Sequence, residues 1–287
     1  MSRTVLRNDS RNASTRPTVA VALGAGGARG IAHIAVLEAL DELGLEVVAL
    51  AGTSMGAIIG AAYAAGLSGA DLRAHVTHTL RNRAEVLSRV LKARVGRFTL
   101  AGIGGNPMLV DGETFLDLFW PRTVPDRFED LRKPLKVVAT DYWSRCEAVF
   151  ETGPLAPAVA GSMAIPGLVR PVHAGERVLV DGGAVNPLPY GLVAGMADIV
   201  VACDVTGGPV PGRRNVPQAL EATFGTAQIM QAAITREMLR LSAPDILVRP
   251  PVDRFRALDF FHVTQILAAA ESAKDEIKRQ IEAVVEA

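Results

Sequence analysis

Cysteine is scarce in this chain of 287 residues: there are two, Cys146 and Cys203, and both fall in strand-like apolar runs. Two are too few to staple a fold of this length, which excludes a disulfide framework. Buried thiols in a reducing compartment are the expectation, and with them a cytoplasmic protein. Neither sign of charge is in excess, with 30 Lys and Arg against 30 Asp and Glu, so net charge supplies no footprint for nucleic acid or for an acidic membrane. No run approaches the roughly 18 to 20 uninterrupted apolar residues that cross a bilayer. His and Cys nowhere gather at metal-ligand spacing, and no metal or other cofactor is expected. The first seventeen residues, MSRTVLRNDSRNASTRP, lack the apolar core of a secretory signal. Rich in Arg, Ser and Asn, they read as a disordered, solvated tail, with an organellar transit peptide as the compositional alternative.

What is present is a chain that is 49% hydrophobic, enough to bury a substantial core, and residues 18–287 are expected to form one domain. Thr18 to Leu23 reads as a buried strand, a glycine-rich turn follows, and Val36, Leu40 and Leu43 recur at helical spacing in a helix from about Ile31 to Leu43 that stops at Gly44. A second strand, Val47 to Ala51, leads to a helix of small residues, Ala57 to Ala65. This alternation predicts an α/β fold, a three-layer α/β/α sandwich around a mainly parallel sheet. A helical and loop insertion is expected over about 69–121. It includes a helix from Gly69 to about Val90, the glycine-punctuated segment Val95 to Pro107, and a helix from Asp111 to Trp120 ended by Pro121. Val95 to Pro107 serves equally as a mobile substrate-access loop or as a connection tucking Phe98, Leu100 and Ile103 into the core. Strand-like runs return at Leu135 to Ala139, Ala148 to Glu151, Arg177 to Val180, Ile199 to Asp204 and Ile246 to Val248. Long helices are expected over Gln218 to Leu241, a candidate surface for self-association, and His262 to Val285.

The chemistry concentrates in two glycine-rich turns and one aspartate. Gly52-Thr53-Ser54-Met55-Gly56 lies between the second strand and the following helix, the setting of a nucleophile elbow. A serine on so sharp a turn is forced into strained backbone geometry, and the flanking Gly52 and Gly56 let neighbouring backbone pass. Its hydroxyl then stands beside a helix N-terminus, where N–H groups and the helix dipole stabilise a developing oxyanion. The pentapeptide alone is short enough to arise by chance. The upstream turn, Gly24-Ala25-Gly26-Gly27-Ala28-Arg29-Gly30, also follows a strand, and exposes N–H groups as an anion nest does. A dinucleotide site would need a third glycine where Arg29 stands. An oxyanion hole fits better, because both turns follow parallel strands and so share one sheet edge. Arg29 either charges that pocket or closes a surface salt bridge.

A serine nucleophile needs a base. Of the five histidines, His33 falls in the first helix and His75 and His78 in the insertion, leaving His173 and His262 as members of a Ser-Asp-His triad. Neither sits in a glycine-rich loop. Asp181 is the stronger base: it closes a strand and precedes Gly182 and Gly183, whose small size permits close approach to another loop. Asp141 and Asp204 are rivals that resemble capping or loop-fixing carboxylates. An apolar pocket would raise the pKa of the chosen carboxylate toward neutrality.

With GAGGARG, GTSMG and DGG in this order, accompanied by Ala160 to Gly167 (AGSMAIPG) and Asp181 to Pro189 (DGGAVNPLP), the sequence resembles the patatin-like phospholipase family, in particular its compact bacterial branch. The resemblance covers about Thr18 to Asp204. It implies a serine-aspartate dyad in which Ser54 is the nucleophile and Asp181 the base. It also implies an oxyanion hole from the N–H groups of Gly26, Gly27 and Ala28, shaped or charged by Arg29, and hydrolysis of lipid acyl esters through an acyl-enzyme. The expected partner is a lipid or acyl-ester substrate, met transiently at a membrane surface. A triad esterase and a catalytically weak scaffold of the same fold remain as alternatives.

Overall fold

A computed structural model describes residues 16–81, 84–88, 91, 110–210, 216–272 and 274–285. Most of the amino-terminal tail and the whole segment Val95 to Pro107 lie outside the described residues. Arg16, at the end of that tail, donates to the Leu43 carbonyl at 2.9 Å.

The strands are β1 (Thr18–Leu23), β2 (Glu46–Thr53), β3 (Leu135–Asp141), β4 (Cys146–Phe150), β5 (Val172–Ala174), β6 (Arg177–Asp181), β7 (Ile199–Cys203) and β8 (Ile246–Val248). The helices are α1 (His33–Glu42), α2 (Met55–Ala64), α3 (Gly69–Leu80), α4 (Gly112–Phe119), α5 (Leu155–Ser162), α6 (Ala219–Leu241), α7 (Val263–Glu271) and α8 (Lys274–Val285). The sheet runs β5-β6-β3-β2-β1-β7-β8, with β4 also paired to β3. Its centre, from β3 to β8, is parallel, whereas β4 and β6 pair antiparallel with β3, and β5 with β6.

Alternation along β1 separates the two faces. Val19, Val21 and Leu23 join the larger core beneath α1, α2, α5 and α7, while Ala20 and Ala22 face a smaller core with Ala49, Ala51 and Val200. The alanines leave only a shallow surface, covered by Leu188, Tyr190 and Val193 and by Met238 and Leu239 of α6. One face is thus thickly layered and the other thinly.

Several elements differ from the sequence reading for local reasons. The first α-helix begins at His33 instead of Ile31, because Gly27–Ala32 winds as a 3-10 turn fed by the left-handed Gly27. The carboxy-terminal helix divides into α7 and α8, joined by the buried Lys274, which pairs with Glu38, Glu42 and Glu271 and ties these helices to α1. α5 was not expected, since its sequence LAPAVAGS is short and offers no apolar stripe of large residues. Cys203 is buried as expected, but Cys146 is exposed, because β4 borders the sheet.

Candidate active site

Ser54 stands between the end of β2 and the start of α2 with φ 57 and ψ −119. A non-glycine residue there costs on the order of 1–3 kcal/mol and persists only where its surroundings enforce it. Two of those surroundings are glycines. A Cβ on Gly56 would collide with the Leu23 carbonyl of β1, and one on Gly52 would come within 2.6 Å of the Gly56 oxygen. The elbow glycines therefore let α2 begin hard against the sheet. The third is Ser162 at the end of α5: the Ser54 N–H donates to its Oγ at 2.8 Å, and that hydroxyl donates to the Val138 carbonyl at 2.5 Å. Sequence reasoning assigned Ser162 no role, although it lies within AGSMAIPG.

Strand β3 brings the aspartate to the serine. Its residues 137–141 pair with β4 along one edge, so its other edge is shared, with Leu135 to Val138 taken by β2 and Ala139 to Asp141 by β6. β2 and β6 approach from opposite directions and end at adjacent rungs, Thr53 opposite Val138 and Asp181 opposite Ala139. Ser54 Oγ consequently donates to Asp181 Oδ2 at 2.7 Å. Asp181 Oδ1 accepts the Gly183 N–H at 2.8 Å, and the Asp181 N–H is held by the Ala164 carbonyl at 3.0 Å. Burial pushes the Asp181 carboxyl up to about 6, against the opposing pull of the Ser54 hydroxyl and the Gly183 N–H. That places its ionisation near neutral pH, where a carboxylate can both hold and release a proton.

The rival groups are occupied elsewhere. Asp141 accepts from Ser144 Oγ at 2.9 Å, and Asp204 from the Thr206 N–H and from Arg249 Nε, both at 3.1 Å. His173 is exposed on β5, and His262 lies 3.9 Å from Asp259. No histidine lines the cavity at Ser54. His33 is fully buried, with Nε2 2.8 Å from the Gly24 carbonyl, and burial lowers its pKa to about 4. It enters such a bond as a neutral donor, fixing the glycine loop.

The upstream loop only partly matches the expected oxyanion hole. Ala28 is a correction: its N–H donates to the Ala257 carbonyl at 2.7 Å, and the residue is absent from the cavity wall. Gly26 and Gly27 do line the cavity, while Gly24 and Gly30 serve packing, a Cβ on Gly30 being blocked by Met55. Arg29 lines the cavity, and its burial excludes the surface salt bridge. It is buried, and its terminal nitrogens donate to the backbone carbonyls of Thr206, Gly208 and Phe255. Desolvation lowers its pKa, opposed by Asp253, Asp204 and Asp259. Its terminal nitrogens tie the glycine loop to two neighbouring segments.

Ser54 and Asp181 open into a cavity of about 180 Å³, walled by Ile165, Pro166 and Val180 on one side and by Phe224, Met230 and Ile234 of α6 on another. Gln228 and Gln231 of the same helix add two amides. α6 therefore crosses the site. Sequence reasoning missed that placement; the available signal was the stretch Ala222 to Thr235, which has no charged residue.

An α/β sheet that presents a strained elbow serine bonded to a buried aspartate, with a glycine loop at the same edge, defines a class of α/β proteins with a serine elbow. Within that class, the family model described as Patatin-like phospholipase matches residues 21–194, and the chain belongs to the patatin-like phospholipase family. An NTE family protein of Mycobacterium tuberculosis is 35% identical over 233 residues, covering 79% of this chain and 61% of that protein. Human patatin-like phospholipase domain-containing protein 6 is 29% identical over 281 residues, covering 88% of this chain and 20% of that protein. The chain thus spans less than two thirds of the length of these relatives. The solved ExoU-SpcU complex of Pseudomonas aeruginosa overlays with a TM-score of 0.47 at 17% identity, over 95% of this chain and 53% of that one. No described helix is long and apolar enough to cross a membrane.

Proposed function

We propose that this chain hydrolyses acyl esters of lipids through Ser54 and Asp181. The observation that carries the reading is the 2.7 Å hydrogen bond from Ser54 Oγ to the buried Asp181 carboxylate, at the floor of an apolar cavity. In the first half-reaction Asp181 accepts the hydroxyl proton as Ser54 Oγ attacks the ester carbonyl. The N–H groups of Gly26 and Gly27 stabilise the tetrahedral oxyanion, aided by the first turn of α2. Collapse breaks the ester C–O bond, the proton passes from Asp181 to the leaving alkoxide, and an acyl-Ser54 ester remains. Water then attacks that ester, Asp181 takes its proton, and fatty acid is released as Ser54 Oγ recovers the proton. Family membership and the apolar wall of Ile165, Phe224, Met230 and Ile234 support a lipid acyl group as substrate.

The test is intact mass after exposure to a lipophilic fluorophosphonate. Wild type is expected to gain one phosphonyl adduct and Ser54→Ala none. A wild-type protein that stays unmodified while a control serine hydrolase is labelled overturns the reading in favour of a non-catalytic scaffold.

A further inference from the structure

The loop that joins β3 to β4 sends its two largest side chains into solvent. Trp143 is 72% exposed and Tyr142 53%, and their rings meet edge to face with centroids 4.9 Å apart. The loop beneath them is firmly held. The Asp141 carboxylate accepts from Ser144 Oγ at 2.9 Å and from the Ser144 N–H at 3.3 Å, the Arg145 N–H donates to the Asp141 carbonyl at 2.8 Å, and the Tyr142 N–H donates to the Val178 carbonyl of β6 at 2.8 Å. Arg145 takes a left-handed backbone with φ 55, which few residues other than glycine adopt. The aromatic pair is thus a fixed projection.

The sheet sets where that projection points. β1, β2 and β3 are parallel, so the glycine loop, Ser54 and the Tyr142-Trp143 tip all follow strands at one end of the sheet. Thr53 pairs with Val138, and Asp141 lies three residues further along β3, which carries the tip roughly 10 Å past the serine elbow at about 3.3 Å per residue. Met230 of α6 lines the catalytic cavity and yet is 58% exposed, and its neighbour Ile229 is 56% exposed. Apolar surface therefore continues from the cavity wall to the outside.

Tryptophan and tyrosine join an apolar ring to a polar N–H or O–H, a combination that settles side chains at the boundary between hydrocarbon and water. A protein partner needs about 800 Å² of complementary surface on each side, whereas this tip offers two rings flanked by exposed, charged Glu147, Glu176 and Arg177. Insertion into a lipid interface sets no such requirement of area. Charge is not the attraction, because the exposed Arg145 and Arg177 are matched in number by Glu147 and Glu176, and a zwitterionic surface suits that balance. We infer that Tyr142 and Trp143 form an interfacial anchor that inserts at the headgroup boundary of a zwitterionic phospholipid bilayer and holds the mouth of the Ser54 cavity at that surface. This deepens the acyl-hydrolase reading and rests on it for its purpose, although the contact itself requires no catalysis.

The experiment uses tryptophan fluorescence with vesicles of palmitoyl-oleoyl phosphatidylcholine. The chain holds two tryptophans, and the half-buried Trp120 donates its indole N–H to the Ile58 carbonyl at 3.3 Å, so Trp120→Phe reports Trp143 alone. The difference between wild type and Trp143→Phe gives the same signal without touching Trp120. Emission from Trp143 is expected to shift to the blue on vesicles and to be quenched by brominated acyl chains, while that of Trp120 changes little. Tyr142→Ser with Trp143→Ser, its fold checked by melting temperature, should raise the vesicle dissociation constant about tenfold or more, with fluorophosphonate labelling of Ser54 in solution kept within about twofold of wild type. Raising salt from about 0.05 to 0.5 M should leave wild-type binding nearly unchanged. Vesicle binding that the double variant retains, binding that salt abolishes, or no binding by wild type overturns the inference, as does a wild type whose two rings are covered by a second copy in solution. Quenching of Trp143 on vesicles in a protein that never labels with fluorophosphonate leaves the anchor standing and overturns the acyl-hydrolase reading.

Discussion

The Ser54 N–H donates to the Ser162 hydroxyl at 2.8 Å, and that hydroxyl in turn donates a hydrogen bond to the carbonyl of Val138. Two residues further on, the Ala164 carbonyl accepts the N–H of Asp181. One short segment at the end of α5 therefore grips the backbone of both Ser54 and Asp181, and sets their separation. It acts through them and touches no reacting atom.

Ser162→Ala should leave the Ser54 N–H and the Val138 carbonyl unpaired in a buried site, at about 1–3 kcal/mol in stability. The expected kinetic result is a fall of about tenfold in fluorophosphonate labelling rate and in kcat, with KM little changed, because the substrate cavity is untouched. Ser162→Cys should recover part of the loss as a weak donor and acceptor. A lower melting temperature with a normal labelling rate would reduce Ser162 to a purely structural residue.

Asp181 should impose an acid limb on kcat/KM with an apparent pKa near 6, since only the carboxylate accepts the Ser54 proton. The same raised pKa has a stability cost. Between the ordinary carboxylate value of 3.8 and about 6 the folded state holds a proton that the unfolded state has lost, so this group's contribution is full below pH 3.8 and is lost as pH rises through 6. Asp181→Asn should thus gain on the order of 1–3 kcal/mol relative to wild type at pH 8 and little at pH 4. Paired denaturation curves at the two pH values check it. The pairing matters because neutral His33, with its pKa lowered to about 4, gives the opposite slope over an overlapping range in both proteins.

Arg29→Met should remove the donors that tie the carbonyls of Thr206, Gly208 and Phe255 to the glycine loop. Loss of about 2–4 kcal/mol is expected, the penalty for buried acceptors being offset in part by relief of a desolvated cation. Chemical denaturation measures it. Unchanged stability with abolished labelling would instead give Arg29 a direct role in the cavity.

His173→Ala and His262→Ala should each retain most ester hydrolysis, because neither ring contacts Ser54 or Asp181. Initial rates on a short acyl ester decide the matter. Loss of several orders of magnitude in either variant would restore a triad.

Much of this site is legible in the amino-acid order because its devices are local. A glycine two positions either side of Ser54 reports a tight strand-to-helix turn, and an aspartate followed by two glycines reports a strand end that another loop can approach. Buried strands such as β1 and β8 are equally plain, since continuous apolar runs bounded by turns have few alternatives. The same local grammar fails where a partner is distant. Nothing in GAGGARG indicates that the Ala28 N–H faces Ala257, or that Arg29 turns its guanidinium onto carbonyls about 180 and 230 residues away. Nor does the pattern of α6 indicate that it crosses the cavity.

The sequence by itself determined the elbow, the glycine loop, the identity of the aspartate and an α/β layering, all of which follow from residue size and spacing along a few consecutive positions. Only the tertiary structure decided how they meet. Because β2 and the antiparallel β6 divide a single edge of β3 and stop at adjacent rungs, Ser54 and Asp181, 127 positions apart, come within one hydrogen bond. Edge sharing of that kind depends on which strands compete for the same row of backbone groups, a property of the assembled sheet that no single strand encodes.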